Sequence, residues 1–219
     1  MEAMDEVVIG AINKLLIDLY GEDITKDLLN RIIRIIDNFT DLNSGLIERK
    51  KEFFSKTQEN DLIIITYGDQ FQKSGQPYLQ TLNTFFRGYL EGCFSGIHIL
   101  PFFPYSSDDG FSIVDYRRVN PLWGSWNDIH ALGERCVLMV DAVINHTSVQ
   151  SIWFQKFLKC KKHYMDYFIY FEKKINLSYV FRPRTTPLLS KFITDCGEKW
   201  VWTTFSRDQV DLNLSLIHI

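Results

Sequence analysis

The stretch that most constrains this chain is Val137–Val140 with its continuation Asp141, Ala142, Val143, Ile144, Asn145 and His146, an apolar run that ends in a carboxylate, an amide and an imidazole. Consecutive apolar residues rich in Val and Ile read as a strand buried on both faces, which points to a parallel sheet covered by helices. The polar cluster falls at the C-terminal end of that strand. In a barrel of parallel strands this is the end at which ligands are met.

Two further runs fit the same pattern. Leu62 to Tyr67 reads as a first buried strand closed by Gly68 and Asp69, and Gly96 to Leu100 reads as a second. Between them Pro77 can open a helix whose apolar face is Leu79, Leu82, Phe85, Phe86, Tyr89 and Leu90. Before the third strand, Gly124 and Ser125 open another helix, with Ser125 as its cap. Strand, helix, strand, helix, strand is βαβ order and predicts a parallel sheet, either a barrel or a doubly wound sheet. No strand is followed by a GxGxxG fingerprint, since Gly68-Asp69-Gln70-Phe71 fails to match, and that favours the barrel.

Upstream, Val8, Ala11, Ile12, Leu15, Leu16 and Leu19, then Leu28, Leu29, Ile32, Ile33, Ile35 and Ile36, recur at three and four and predict an amphipathic helix pair. Gly21 stops the first helix, and Asp23 or Thr25 can cap the second. Nothing in this segment carries chemistry, and it reads as a packing appendage. From Thr147 to Trp200 regularity fades over a length unsuited to an ordinary βα loop. Trp200–Phe205 then reads as a fourth barrel strand.

Composition limits the partners. The 219 residues are 46% hydrophobic and 15% aromatic, enough for a sizeable core in one or two domains, and the net charge of -3 points to neither nucleic acid nor an anionic membrane surface. Cys93, Cys136, Cys160 and Cys196 show no CxxC pairing and no His at ligand spacing, so they predict reduced core thiols rather than a zinc site or a disulfide framework. The N-terminus carries acids where a secretory signal carries bases, and no run approaches a membrane span. A cytoplasmic protein is expected.

The segments His98–Pro104, Asp109–Phe111 and Asp141–His146 resemble the retaining sugar-processing barrels of the α-amylase superfamily, in particular its sucrose-phosphorylase branch; the resemblance runs from about Asp61 to Asn213. It implies an α/β fold, an incomplete (β/α)8 barrel with about four of its eight strands. Residues 1–60 are then a helical extension, 61–146 the first three βα units, 147–199 an irregular insert after the third strand, and 200–213 the fourth strand. Residues 214–219 resemble a translated DNA-adaptor sequence and are expected to be foreign to a natural chain ending near Asn213.

The implied chemistry is glucosyl transfer from an α-glucoside (sucrose, sucrose 6'-phosphate or glucosylglycerate) to inorganic phosphate, giving α-glucose 1-phosphate with retention. Helical extension and loop wording resemble the glucosylglycerate and sucrose 6'-phosphate phosphorylases more than plain sucrose phosphorylase. An α-glucosidase or transglucosidase of the same superfamily is the enzymatic alternative, and a non-catalytic sugar-binding remnant the other. Retaining transfer needs two carboxyl groups about 5–5.5 Å apart. In the family these follow the fourth and fifth strands, so no catalytic residue is assigned here and the chain alone is expected to be inactive.

What remains is one wall of the donor-sugar pocket. The resemblance implies that Asp108 and His146 bind sugar hydroxyls, with Asp109 the rival of Asp108 one residue away. It implies that Phe111 and Phe205 offer ring faces, that Gln209 lies near sugar and acceptor, and that Arg184 meets phosphate through its guanidinium fork. Asp141 and Asn145 are expected to fix the loop after the third strand. Neither a metal nor a cofactor is implied, and the sequence gives no oligomeric state.

Overall fold

The computed structural model describes residues 6–42, 61–181 and 185–215. The chain divides into two units, Met1–Glu59 and Asn60–Ile219. In the first, helices α1 (Glu6–Tyr20) and α2 (Glu22–Leu42) pack on each other. Gly21 separates them in the left-handed region at φ +80, where a side chain would be strained. Thr25 lies inside α2 and donates its hydroxyl to the Gly21 carbonyl at 2.6 Å, so it back-bonds and does not cap.

In the second unit, β1 (Ile63–Thr66), β2 (Gly96–Ile99) and β3 (Val137–Val140) form a parallel sheet in the order β1-β2-β3. The crossovers are α3 (Tyr78–Phe85), which widens into a π turn over Phe86–Leu90, and α4 (Trp126–Gly133). Pro77 precedes α3, and the Ser125 amide donates to Asp128 Oδ2 at 2.7 Å at the start of α4. Leu79, Leu82, Phe86, Ile129 and Leu132 from these helices bury Ile97 and Ile99 of the central strand.

Burial on both faces holds for β2 but fails for its neighbours. The register places Ile65, His98 and Met139 in one row on the face away from the helices. On that side Ile63, Ile65 and Met139 are 50%, 64% and 46% exposed, because no described element covers them. The sheet is half of a two-sided design, an arc of a (β/α) fold that is not closed into a barrel.

After β3 the chain builds a different layer. Strand β4 (His146–Ser148) pairs antiparallel with β8 (Gln209–Asp211), setting His146 opposite Asp211 and Ser148 opposite Gln209. Between them lie α5 (Ile152–Leu158), the short α6 (Lys162–Met165), and an antiparallel sheet of β5 (Tyr170–Phe171), β7 (Gly197–Trp202) and β6 (Leu189–Thr194), in that order. Phe154, Phe157, Phe168, Val201, Val210 and Leu212 form its core.

This layer corrects two expectations. Trp200–Phe205 is not a fourth parallel strand: Trp200, Val201 and Trp202 belong to β7, antiparallel to both its neighbours. The cause is the turn Asp195-Cys196-Gly197, with Gly197 at φ +109, which folds β7 back on β6 before any crossover is possible. The cysteines differ as well, since Cys160 and Cys196 are joined in a disulfide that ties the end of α5 to this turn. Cys93 and Cys136 are free, and burial pushes the Cys136 thiol up to about 11.

Candidate functional site

The loop after β2 begins with Leu100 and ends in the turn Asp108–Gly110. Asp108 and Asp109 both occupy the left-handed region, at φ 57 and 49, which Asp tolerates better than most residues. Gly110 follows at φ +105, and a Cβ there would lie 2.6 Å from the Pro101 carbonyl oxygen, so the loop closes on its own stem only with glycine. The turn separates the two carboxylates. Asp109 lines a hollow of about 270 Å³ with Tyr67, Asp69, Tyr105 and Trp123. Asp108 instead turns toward β8, where Gln209 Nε2 donates to its Oδ2 at 2.8 Å.

Gln209 is 2% exposed, and its carbonyl accepts from Ser206 Oγ at 2.8 Å, which fixes the amide nitrogen toward Asp108. That nitrogen also lies 3.2 Å from His146 Nε2. Sharing one neighbour at 2.8 and 3.2 Å, Asp108 Oδ2 and His146 Nε2 are within about 6.0 Å of each other. His146 Nε2 further lies 3.0 Å from the Phe111 carbonyl, and Nδ1 is 3.4 Å from Asn145 Nδ2. A carbonyl only accepts and an amide NH2 only donates, so the ring is the Nε2–H tautomer, donating to Phe111 and accepting from Asn145. The approach of Gln209 to Nε2 is then a close contact rather than a hydrogen bond.

Burial pulls the His146 pKa below the usual imidazole value, opposed by the Phe111 hydrogen bond and by the charges of Asp211 and Asp108. The ring is therefore neutral at neutral pH. Phe205 packs its ring 4.9 Å from the imidazole, and Tyr116 Oη donates to the His146 carbonyl at 2.8 Å. Asp211, opposite His146, accepts from the Thr204 amide at 2.9 Å and from Asn145 Nδ2 at 3.4 Å.

The structure thus brings together Asp108, Phe111, His146, Phe205 and Gln209. Phe111 meets His146 through its carbonyl. Arg184 lies outside the described residues. Asp141 pairs with His98 at 3.0 Å and Asn145 bridges toward Asp211, a loop-fixing arrangement for both. Among the described residues no group of three His, Cys, Asp or Glu side chains is placed to hold a metal, and no helix is long and apolar enough to cross a membrane.

One participant carries no signal in the sequence. The Asp208 carboxylate gathers the hydroxyls of Ser106, Ser107 and Ser112, which lie about a hundred residues away. The only trace is a serine-rich loop facing an Asp-Gln pair, a pattern too common to read.

Comparison with known proteins agrees with the layout. The alpha-amylase family, described as alpha amylase, catalytic domain, matches residues 88–215. Glucosylglycerate phosphorylase of Spirochaeta thermophila is 46% identical over 216 residues, 97% of this chain and 35% of that protein. The glucosylglycerate phosphorylase of Escherichia coli is 40% identical over 197 residues, 90% of this chain and 34% of that protein. The crystal structure of sucrose 6F-phosphate phosphorylase from Thermoanaerobacter thermosaccharolyticum superposes with a TM-score of 0.66 at 36% identity, over 74% of this chain and 35% of that one. The chain spans about a third of the length of the curated relatives it matches. It belongs to the alpha-amylase family, in the branch of the sucrose and glucosylglycerate phosphorylases.

Proposed function

We propose that this chain forms one wall of the donor-sugar site of a retaining glycoside phosphorylase, which moves a glucosyl unit from an α-glucoside to inorganic phosphate and yields α-glucose 1-phosphate. Glucosylglycerate is the first donor to consider, because the 46% identical relative bears that name. The observation that carries the reading is the convergence of Asp108 and His146 on Gln209.

The chemistry follows from these groups. A hexose presents hydroxyls that both donate and accept. Asp108 is exposed, and with Oδ2 committed to Gln209 its other oxygen accepts from one hydroxyl. The neutral His146 ring carries one N–H, donated here to the Phe111 carbonyl; a sugar hydroxyl is assigned to replace that carbonyl as its acceptor, so the ring positions a hydroxyl without adding a competing charge while positive charge develops at the anomeric carbon. Phe205 and Phe111 supply apolar surface for the C–H face of the sugar. Arg184 is assigned to the phosphate, whose oxygens match a guanidinium fork.

The two bond-making carboxyl groups are assigned to segments outside these 219 residues, since the chain spans about a third of the length of its curated relatives. The chain alone should be inactive. The test is to express the complete reading frame that contains this chain, and to follow glucose 1-phosphate with and without phosphate, offering glucosylglycerate, sucrose 6'-phosphate and sucrose. Product that depends on phosphate, fastest with glucosylglycerate, is expected. Free glucose released at the same rate without phosphate would overturn phosphorolysis in favour of hydrolysis.

A further inference from the structure

We propose that Asp208 is a positioning residue for this site, a latch that holds the loop bearing Asp108 against β8; the proposal rests on the glucosyl-transfer reading above. Ser106 Oγ and Ser107 Oγ each donate to Asp208 Oδ2 at 2.5 Å, and Ser112 Oγ reaches the same oxygen at 2.9 Å. Ser112 Oγ also lies 3.1 Å from the Asp208 carbonyl, which accepts from the Val149 amide at 3.0 Å. Ser148 Oγ stands 2.6 Å from Ser106 Oγ and itself accepts from the Gln150 amide at 2.9 Å.

A carboxylate accepts and never donates, so it orders every proton in the cluster. Ser148 donates to Ser106, while Ser106, Ser107 and Ser112 donate to Asp208. Ser112 and Ser148 are fully buried, which shields these charge-assisted bonds from water.

The latch sits directly beside the sugar wall. Ser107 precedes Asp108 and Asp208 precedes Gln209, so the Ser107–Asp208 and Asp108–Gln209 bonds are consecutive rungs between the same two segments. Asp108 is exposed and held at φ 57, a conformation that its own side chain does little to enforce. Without the first rung the second loses its register. Asp208 itself touches no substrate in this account and acts through Asp108.

The test uses the complete protein, with donor kinetics at saturating phosphate. Asp208→Asn keeps the shape but removes the charge that orders the hydroxyls, and should raise KM for the glucosyl donor about 10-fold with kcat changed less than about 2-fold. In an Asp108→Ala background the same change should have no further effect on KM, because the group being positioned is gone. An unchanged KM, or losses that simply add, would overturn the latch; additive losses are what a merely structural role gives. If Asp208→Asn fails to fold, Ser107→Ala removes a single hydroxyl and should still raise KM a few-fold, and an unchanged KM in that variant overturns the proposal equally. Wild-type protein that forms no glucose 1-phosphate overturns the glucosyl-transfer reading and this role together; wild-type turnover with insensitive variants overturns the latch alone.

Discussion

Gln209 donates its amide nitrogen to Asp108 at 2.8 Å across 101 residues of sequence. The bond joins the loop after β2 to β8, and its donor is almost wholly buried. Replacing Gln209 by Ala leaves the Ser206 hydroxyl without its acceptor and cuts the bond to Asp108, whose exposed carboxylate is left to water. A loss of about 1–3 kcal/mol in unfolding free energy is expected, measured by urea denaturation. A loss below about 0.5 kcal/mol would mean that the bridge contributes little to holding the two segments together.

The neutral state of His146 predicts a pH dependence. Its folded pKa lies below the unfolded value, so the unfolded chain takes up the proton first. The stability contributed by the neutral ring is complete above the unfolded pKa of about 6.5, and is lost as pH falls below it toward the folded value. Thermal melts of the wild type should therefore drop between neutral pH and mildly acidic pH by more than those of His146→Gln. Parallel curves for the two proteins would contradict the assignment.

The Cys160–Cys196 link makes its own prediction. It closes a loop with a sequence separation of 36, for which the chain-entropy argument gives about 3–4 kcal/mol. Thiol titration of the unfolded, unreduced protein should find Cys93 and Cys136 alone, and reductant should lower the melting temperature. Four titratable thiols before reduction would show that the bond does not form where the protein is made, as a reducing compartment dictates.

Exposure of Ile63, Ile65 and Met139 on one sheet face is an aggregation liability for these 219 residues alone. The chain should self-associate in sedimentation velocity. Ile65→Thr with Met139→Gln should shift it toward monomer. A monodisperse wild-type chain with a sharp melt would show that the face is covered in solution.

Much of this was legible from residue pattern. Apolar runs with helical segments between them specified β1, β2 and β3 and their parallel order, because a βαβ crossover leaves few alternatives. The aromatic run at Trp200 misled, since four apolar or β-branched neighbours look alike in parallel and antiparallel strands; the Asp195-Cys196-Gly197 turn held the deciding information. The disulfide was invisible because pairing depends on where α5 ends relative to that turn. Asp108 and His146 stood out through the motifs around them, whereas Asp208 makes sense only once two distant loops are seen together.

The central claim is that Asp108, and not its neighbour Asp109, grips the sugar. Its most direct test is donor kcat/KM of the complete protein carrying Asp108→Asn or Asp109→Asn. A fall of about 10- to 100-fold for the first and less than about 3-fold for the second is predicted, matching one hydrogen bond to a charged group. Equal effects, or a larger loss at Asp109, would contradict the account.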